Sequence, residues 1–181
     1  MNFGKKGLSP IIGTVLLLIL TVAAVAVIGT FVIPFVRDQL EEGSSCVDYI
    51  DYFSFNELFE FGGETLRYNC FEDNKNGVSV RAKTVESEIA DRVVGFDLLF
   101  FDGTESTKVS VRDGETTNNL EMFDGDDNLV IPVEGGIQTY IYTESGKNFG
   151  KVEIYPVLSS GKMCEKTDEI NLIACDGVEL S

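Results

Sequence analysis

The stretch Leu8–Val36, LSPIIGTVLLLILTVAAVAVIGTFVIPFV, decides the architecture, because it holds no charged residue across 29 positions. A membrane-crossing helix needs about 20 predominantly apolar residues. A helix as long as this run extends about 43 Å at ~1.5 Å per residue, more than the ~30 Å hydrocarbon layer. Lys5 and Lys6 precede the run, Arg37 follows it, and all thirty acidic residues lie at Asp38 or beyond. Setting the two lysines aside leaves twelve basic residues against thirty acids after Val36, a net of −18. The positive-inside rule then keeps the lysine end cytoplasmic and sends the acidic body across the membrane. A removable secretory signal has an apolar stretch of about 7–15 residues closed by a small-x-small site. Here the only such signal, Ala24 and Ala26, sits in the middle of the run, and cleavage there would leave a hydrophobic stub. The helix is expected to stay in the mature protein.

Beyond Val36 the composition turns polar within a few residues. The helical pattern is expected to reach about Glu42, where Gly43-Ser44-Ser45 ends it and divides a stalk, 8–42, from a head, 43–181. Within the head, Val78–Lys83, Lys108–Arg112 and Thr139–Tyr142 alternate with period two, the pattern of half-buried strands. Val93–Phe101, VVGFDLLFF, is nearly continuous apolar and aromatic sequence and reads as a central strand. Turn chemistry separates these segments at Asn76-Gly77, Asp102-Gly103, Asp113-Gly114, Gly135-Gly136, 144–148 and 159–162. Val47–Phe61, rich in aromatics, is ambiguous between a strand and a short helix. The expected class is α+β, a long hydrophobic helix followed by an antiparallel β-sandwich-like head or small barrel.

The 181 residues carry a formal charge of −16. No basic surface is available to neutralise phosphates, so nucleic acid is not an expected partner. The chain has no His and no Trp, which removes the common general base, the Ser-His-Asp triad, the Cys-His pair and any His-containing metal site. An enzyme is not expected. Carboxylates are abundant, but no catalytic pair stands out, and no cofactor is implied.

Cys46, Cys70, Cys164 and Cys175 all follow the span, on the side expected to be oxidising, and their even number points to two disulfides. Three connectivities are open. Sequence-local pairing, Cys46 with Cys70 and Cys164 with Cys175, is preferred because it closes short loops near the two ends of the head. A zinc site lacks both C-x₂-C spacing and histidine.

Gly146–Val152, GKNFGKV, has a superficial likeness to a phosphate loop, but its glycines are one residue too close and Val152 stands where a magnesium-holding Ser or Thr belongs. Asp124, Asp126 and Asn128 place oxygens at alternate positions, with Glu134 as a distant candidate, so they are weak calcium candidates. Leu129 and Gly135 break the EF-hand pattern, and a solvated acidic turn is the plainer reading. No Asn-x-Ser/Thr acceptor occurs. Inside the run, Ala23, Ala26 and Thr30 form a stripe of small residues that permits close helix approach, and Pro34 is expected to kink the helix.

The junction MNFGKKG followed by LSPIIGTVLLLILTVAAVAVI resembles the N-terminus of archaeal type IV pilins and related archaellum-type filament subunits. Ser9-Pro10-Ile11-Ile12-Gly13-Thr14 matches the S-P-x-I-G-T opening common in those proteins, and the likeness covers about the first 36 residues. It implies a leader, 1–7, removed on the cytoplasmic side by a prepilin peptidase. Cleavage would fall after Gly7, with Lys5 and Lys6 as the basic signal and Leu8 as the first mature residue. It also implies an assembly platform, an ATPase, other copies of the chain, and a passage from membrane to surface filament. Bacterial pilins usually carry Glu at the fifth mature position, which here is Ile12, so the resemblance is to the archaeal members.

The physics agrees with that implication. An apolar helix can leave lipid without meeting water if equivalent helices replace the lipid around it. A non-enzymatic filament subunit is therefore the leading expectation. The alternatives are a permanently anchored ectodomain or adhesin, with Tyr140 and Tyr142 available for stacking, and an extracellular carboxylate enzyme.

Overall fold

Eighteen residues from Pro10 to Val27 form helix α1 in the computed structural model, which describes residues 10–36, 46–61 and 64–180. Proline at a first helical position costs no hydrogen bond, since that N–H has no intrahelical acceptor. The Leu, Ile, Val and Ala that follow present apolar atoms on every side. From Ile28 to Val32 the helix widens into a π turn, with the Ile33 amide donating to the Ile28 carbonyl five residues back. The disturbance expected at Pro34 takes this form, because Pro34 has no N–H to give the Thr30 carbonyl. Apolar helix continues to Val36. The expected helix end at Glu42 and the stalk–head boundary lie outside the described residues.

The chain divides into two compact units, Met1–Ser45 and Cys46–Ser181. In the second, a 3₁₀ turn at Val47–Tyr49 precedes β1 (Phe53–Phe55), β2 (Phe59–Phe61), β3 (Glu64–Leu66), β4 (Cys70–Glu72) and β5 (Lys75–Ala82). The short helix α2 (Ser87–Ala90) leads to β6 (Val93–Phe101), β7 (Ser106–Arg112), β8 (Leu120–Met122) and β9 (Ile137–Thr143). β10 (Lys151–Leu158), β11 (Asp168–Asn171) and β12 (Ile173–Ala174) follow. The ambiguous segment Val47–Phe61 is thus neither one strand nor one helix. It is a 3₁₀ turn and two short strands.

One sheet runs β12-β4-β5-β9-β8, with β1 also paired to β5; a second runs β11-β10-β6-β7; β2 and β3 form a separate hairpin. Every pairing is antiparallel except β12 with β4, which is parallel. Alternation explains the core. Val78, Val80, Tyr140 and Tyr142 of the first sheet and Phe96, Leu98, Phe100, Val109, Val111, Val152 and Ile154 of the second belong to one buried cluster. Rings link the two sheets, Phe96 with Tyr140 at 5.6 Å and Phe100 with Tyr142 at 4.9 Å between centroids.

At one margin β1 reaches the second sheet through side chains. The Phe55 amide donates to Asp168 Oδ2 at 2.8 Å, and the Thr167 hydroxyl donates to the Phe53 carbonyl at 2.8 Å. On the outer side of the first sheet, Val178 and Leu180 pack with Cys70 and Ile141 in a smaller cluster.

Asn76-Gly77 is not a turn. Both residues lie inside β5, and the hairpin closes at Asp73-Asn74, whose φ angles of 45° and 70° suit a two-residue loop of the primed type. Asn76 is fully buried; its amide donates to the Tyr142 carbonyl at 3.3 Å and its oxygen accepts from the Phe149 amide at 3.1 Å. Gly77 is needed for close approach, since a Cβ there would collide with the Tyr68 carbonyl oxygen and the Leu180 side chain.

Candidate functional site

The apolar helix is the first candidate surface. Over the 26 residues Ile11–Val36 it is long and apolar enough to cross a membrane, and a signal segment would satisfy the same criterion. Its large side chains stand exposed, Leu18 at 62% and Phe31 at 72%. The three threonines are turned inward: Thr14, Thr21 and Thr30 donate to the carbonyls of Ile11, Leu18 and Ala26 at 2.8–2.9 Å. Their hydroxyls are thereby satisfied within the helix, which suits an apolar surrounding. Thr30 and Ala26 of the small-residue stripe are joined by one of these bonds. Lys5, Lys6, Gly7 and Leu8, the expected processing site, lie outside the described residues.

The disulfides fix the head's first residue and its tail. Cys46 is bonded to Cys164 and Cys70 to Cys175, with Cα–Cα separations of 5.5 and 4.9 Å. This overturns the sequence-local pairing. Short loop length was the wrong criterion, because the folded sheets bring residues 118 and 105 positions apart into contact. The first bridge ties the start of the head to the segment after β10. The second holds the tail, including parallel β12, against β4.

Charge concentrates on the outer face of the four-stranded sheet, a site that sequence reading missed. Asp97, on β6, is buried among strands, yet Arg112 Nη2 lies 2.7 Å and Lys108 Nζ 3.3 Å from its carboxylate. Burial alone would raise its pKa, but hydrogen bonds and charge from Arg112, with help from Ser110 and Lys108, outweigh burial and hold the carboxyl below its ordinary value. Two strands away, Lys151 lies 2.7 Å from Glu153, Lys166 lies 3.4 Å from it, and the Tyr155 hydroxyl donates to it at 2.7 Å. The Lys151 hydrogen bond is the main reason that Glu153 falls to about 2, although burial opposes it. Lys151 also sits over the Phe101 ring, 4.7 Å from its centroid. The missed signal was the polar Asp97 inside VVGFDLLFF, in register with Ser110 of a strand carrying Lys108 and Arg112 at alternate positions.

The remaining candidates are structural. Tyr140 and Tyr142 are buried between the sheets, not presented for stacking. The Tyr140 hydroxyl donates to the Val130 carbonyl at 2.6 Å, and burial pushes its pKa up. Tyr142 donates to Glu144 at 2.9 Å and is pushed up to about 12 by burial and by that carboxylate. Both project into the core because the alternation in β9 was assigned to the solvent side. Gly146–Val152 forms a turn in which Lys147 faces Glu144, Asp102 and Glu105, while Val152 fills the core. Asp124 Oδ1 accepts from the Asp126 amide and Asp126 Oδ1 from the Asn128 amide, so these oxygens brace their own turn. Among the described residues no three His, Cys, Asp or Glu gather as metal ligands. A shallow groove of about 260 Å³ elsewhere is lined by Phe59, Tyr68, Phe123 and Gln138, among others.

No family model, curated protein or solved structure matches this chain.

Proposed function

We propose that the protein is a non-enzymatic structural subunit, a pilin, of an archaeal type IV pilus-like surface filament. The observation that carries this reading is the helix Ile11–Val36, whose apolar side chains have no cover of their own, joined in sequence to a head that buries a separate core. Such a rod requires either lipid or other rods around it. The archaeal pilin-like junction from Lys5 to Thr14 supports the second as its final state. Two disulfides suit a head working outside the cytoplasm, where thiols are oxidised. In this reading the prepilin peptidase cuts after Gly7, the helix anchors the subunit in the cell membrane, and a platform and ATPase transfer it into a filament of helical symmetry. The helices form the filament core and a sandwich-like head forms its sheath.

N-terminal sequencing and intact mass of the protein from native envelopes test the reading, alongside electron microscopy of sheared surface fibres. Processing to Leu8 and fibres containing this chain are expected. An intact Met1 on a chain that never leaves the membrane would replace the filament by simple anchorage. The Phe59–Tyr68–Phe123 groove favours that second reading of an anchored binding domain, with aromatic rings and the Gln138 amide offered to a ligand.

A further inference from the structure

Two surfaces of opposite character lie on the head. The outer face of the β11-β10-β6-β7 sheet and its margin bring together Lys108, Arg112, Lys151 and Lys166, four of the twelve basic residues that follow Val36. They share three carboxylates, Asp97, Glu153 and Glu169, so this face carries a slight positive excess in a chain of net charge −16. Lys108 is 61% exposed and Lys166 40%, and an ammonium has three donors to distribute.

The complementary surface is Asp113–Glu134, which has seven acidic residues and no basic one in 22 positions. Asp113, Glu115, Asp124, Asp126, Asp127 and Glu134 are exposed, and none takes part in the described ion pairs. This segment cannot fold onto the basic face of its own head. Leu120 and Leu129 are sunk in the core, β8 is paired to β9, and the Gly114 amide donates to the Leu129 carbonyl at 2.8 Å.

From this complementarity we infer that the outer face of the four-stranded sheet receives the Asp113–Glu134 segment of a second copy of the chain. The contact joins two different patches, so it is heterologous and propagates from head to head without closing on itself. The inference rests on the filament reading for the supply of adjacent copies, and it names the head contact within it. Opposed patches also relieve the repulsion that would otherwise separate heads of such negative charge.

Charge reversal of the full-length chain in its native cells tests it. Glu115→Lys with Asp127→Lys reverses the acidic patch at side chains that brace nothing described in the head, so the fold is preserved. Lys108→Glu with Lys166→Glu reverses the sheet face. Each pair is expected to lower sheared-fibre yield about tenfold, and the four together to restore it. Carbodiimide cross-linking of parental envelopes should join Lys108 or Lys166 of one copy to carboxylates of 113–134 in another.

Parental yield from the Glu115→Lys and Asp127→Lys chain overturns the inference, whether or not the Lys108 and Lys166 variant folds. Parental fibres that give no such cross-links leave the filament reading standing and remove this contact. Absence of both fibres and cross-links removes both, whereas cross-links without fibres retain the contact and remove the filament.

Discussion

The helix and the head contain the same kinds of side chain and use them oppositely. Leu18 of the helix stands 62% exposed, whereas Leu98 and Phe96 of the head are fully buried. In the head, polar groups are also absorbed: among the described residues no buried side-chain nitrogen or oxygen lacks a hydrogen-bond partner. The head therefore carries its stability within itself, while the helix depends on whatever medium surrounds it. A change that damages one should leave the other intact, and this independence can be measured.

The largest expected effect is in the head's core. Phe96→Ala removes a ring packed against Phe53 and Tyr140 and should cost about 3–5 kcal/mol in chemical or thermal unfolding, with membrane retention of the chain unchanged. Next, Cys46→Ser with Cys164→Ser releases a closure spanning 118 positions and should cost about 4 kcal/mol. Peptide mapping of the unreduced parent should recover Cys46 linked to Cys164. A peptide linking Cys46 to Cys70 would contradict the fold at the head's first residue. The converse experiment is Leu18→Arg, which places a charge near the middle of the apolar run. It should disfavour membrane insertion by about 2.5–3.5 kcal/mol, read as protein lost to alkaline extraction, with the head's melting curve unmoved.

The same contrast explains what the sequence made legible. A span is written in consecutive residues, so Leu8–Val36 could be read directly, and Val93–Phe101 matched β6 to the residue because a buried strand is also a local pattern. Long-range closure is not local. The pairing of Cys46 with Cys164, the parallel addition of β12 and the side-chain junction of β1 with Asp168 depend on which strands become neighbours. Asn76-Gly77 misled for a related reason. Its turn chemistry is strong, but Asp73-Asn74 also adopts positive φ, and burial of Asn76 against the Tyr142 carbonyl decides between them. The charged sheet face was hidden because Asp97, Lys108 and Lys151 come from three separate strands and only register brings them together.

A finer test of the head's self-sufficiency lies in that face. Asp97→Asn leaves Arg112 and Lys108 without their shared carboxylate and should cost about 2–3 kcal/mol at neutral pH. Arg112 keeps its hydrogen bonds to the Phe96 and Val111 carbonyls, which limits the loss. Substitution at the exposed tip of the same hairpin, where Asp102 braces the Thr104 and Glu105 amides, should cost less.

The smallest effect is the most specific, because it depends on protons alone. Asp97 and Glu153 have folded-state pKa values below their ordinary 3.8 and 4.5, Glu153 at about 2. A depressed carboxyl stabilises the folded state above its unfolded pKa, and that contribution is lost as pH falls toward the folded value. Acidification from about 4.5 to about 2 should therefore shrink the stability gap between the parent and Asp97→Asn, and likewise between the parent and Glu153→Gln, because the parent's own carboxyl is becoming neutral. Comparing each variant with the parent separates this effect from the relief of repulsion across the acidic surface, which acts in the opposite direction and is common to both. Gaps that stay constant or widen in this window would mean that the ion pairs do not hold the sheet face as described. The helix supplies the internal control: Leu8–Val36 contains no ionisable side chain, so membrane retention should not change over the interval in which the head weakens.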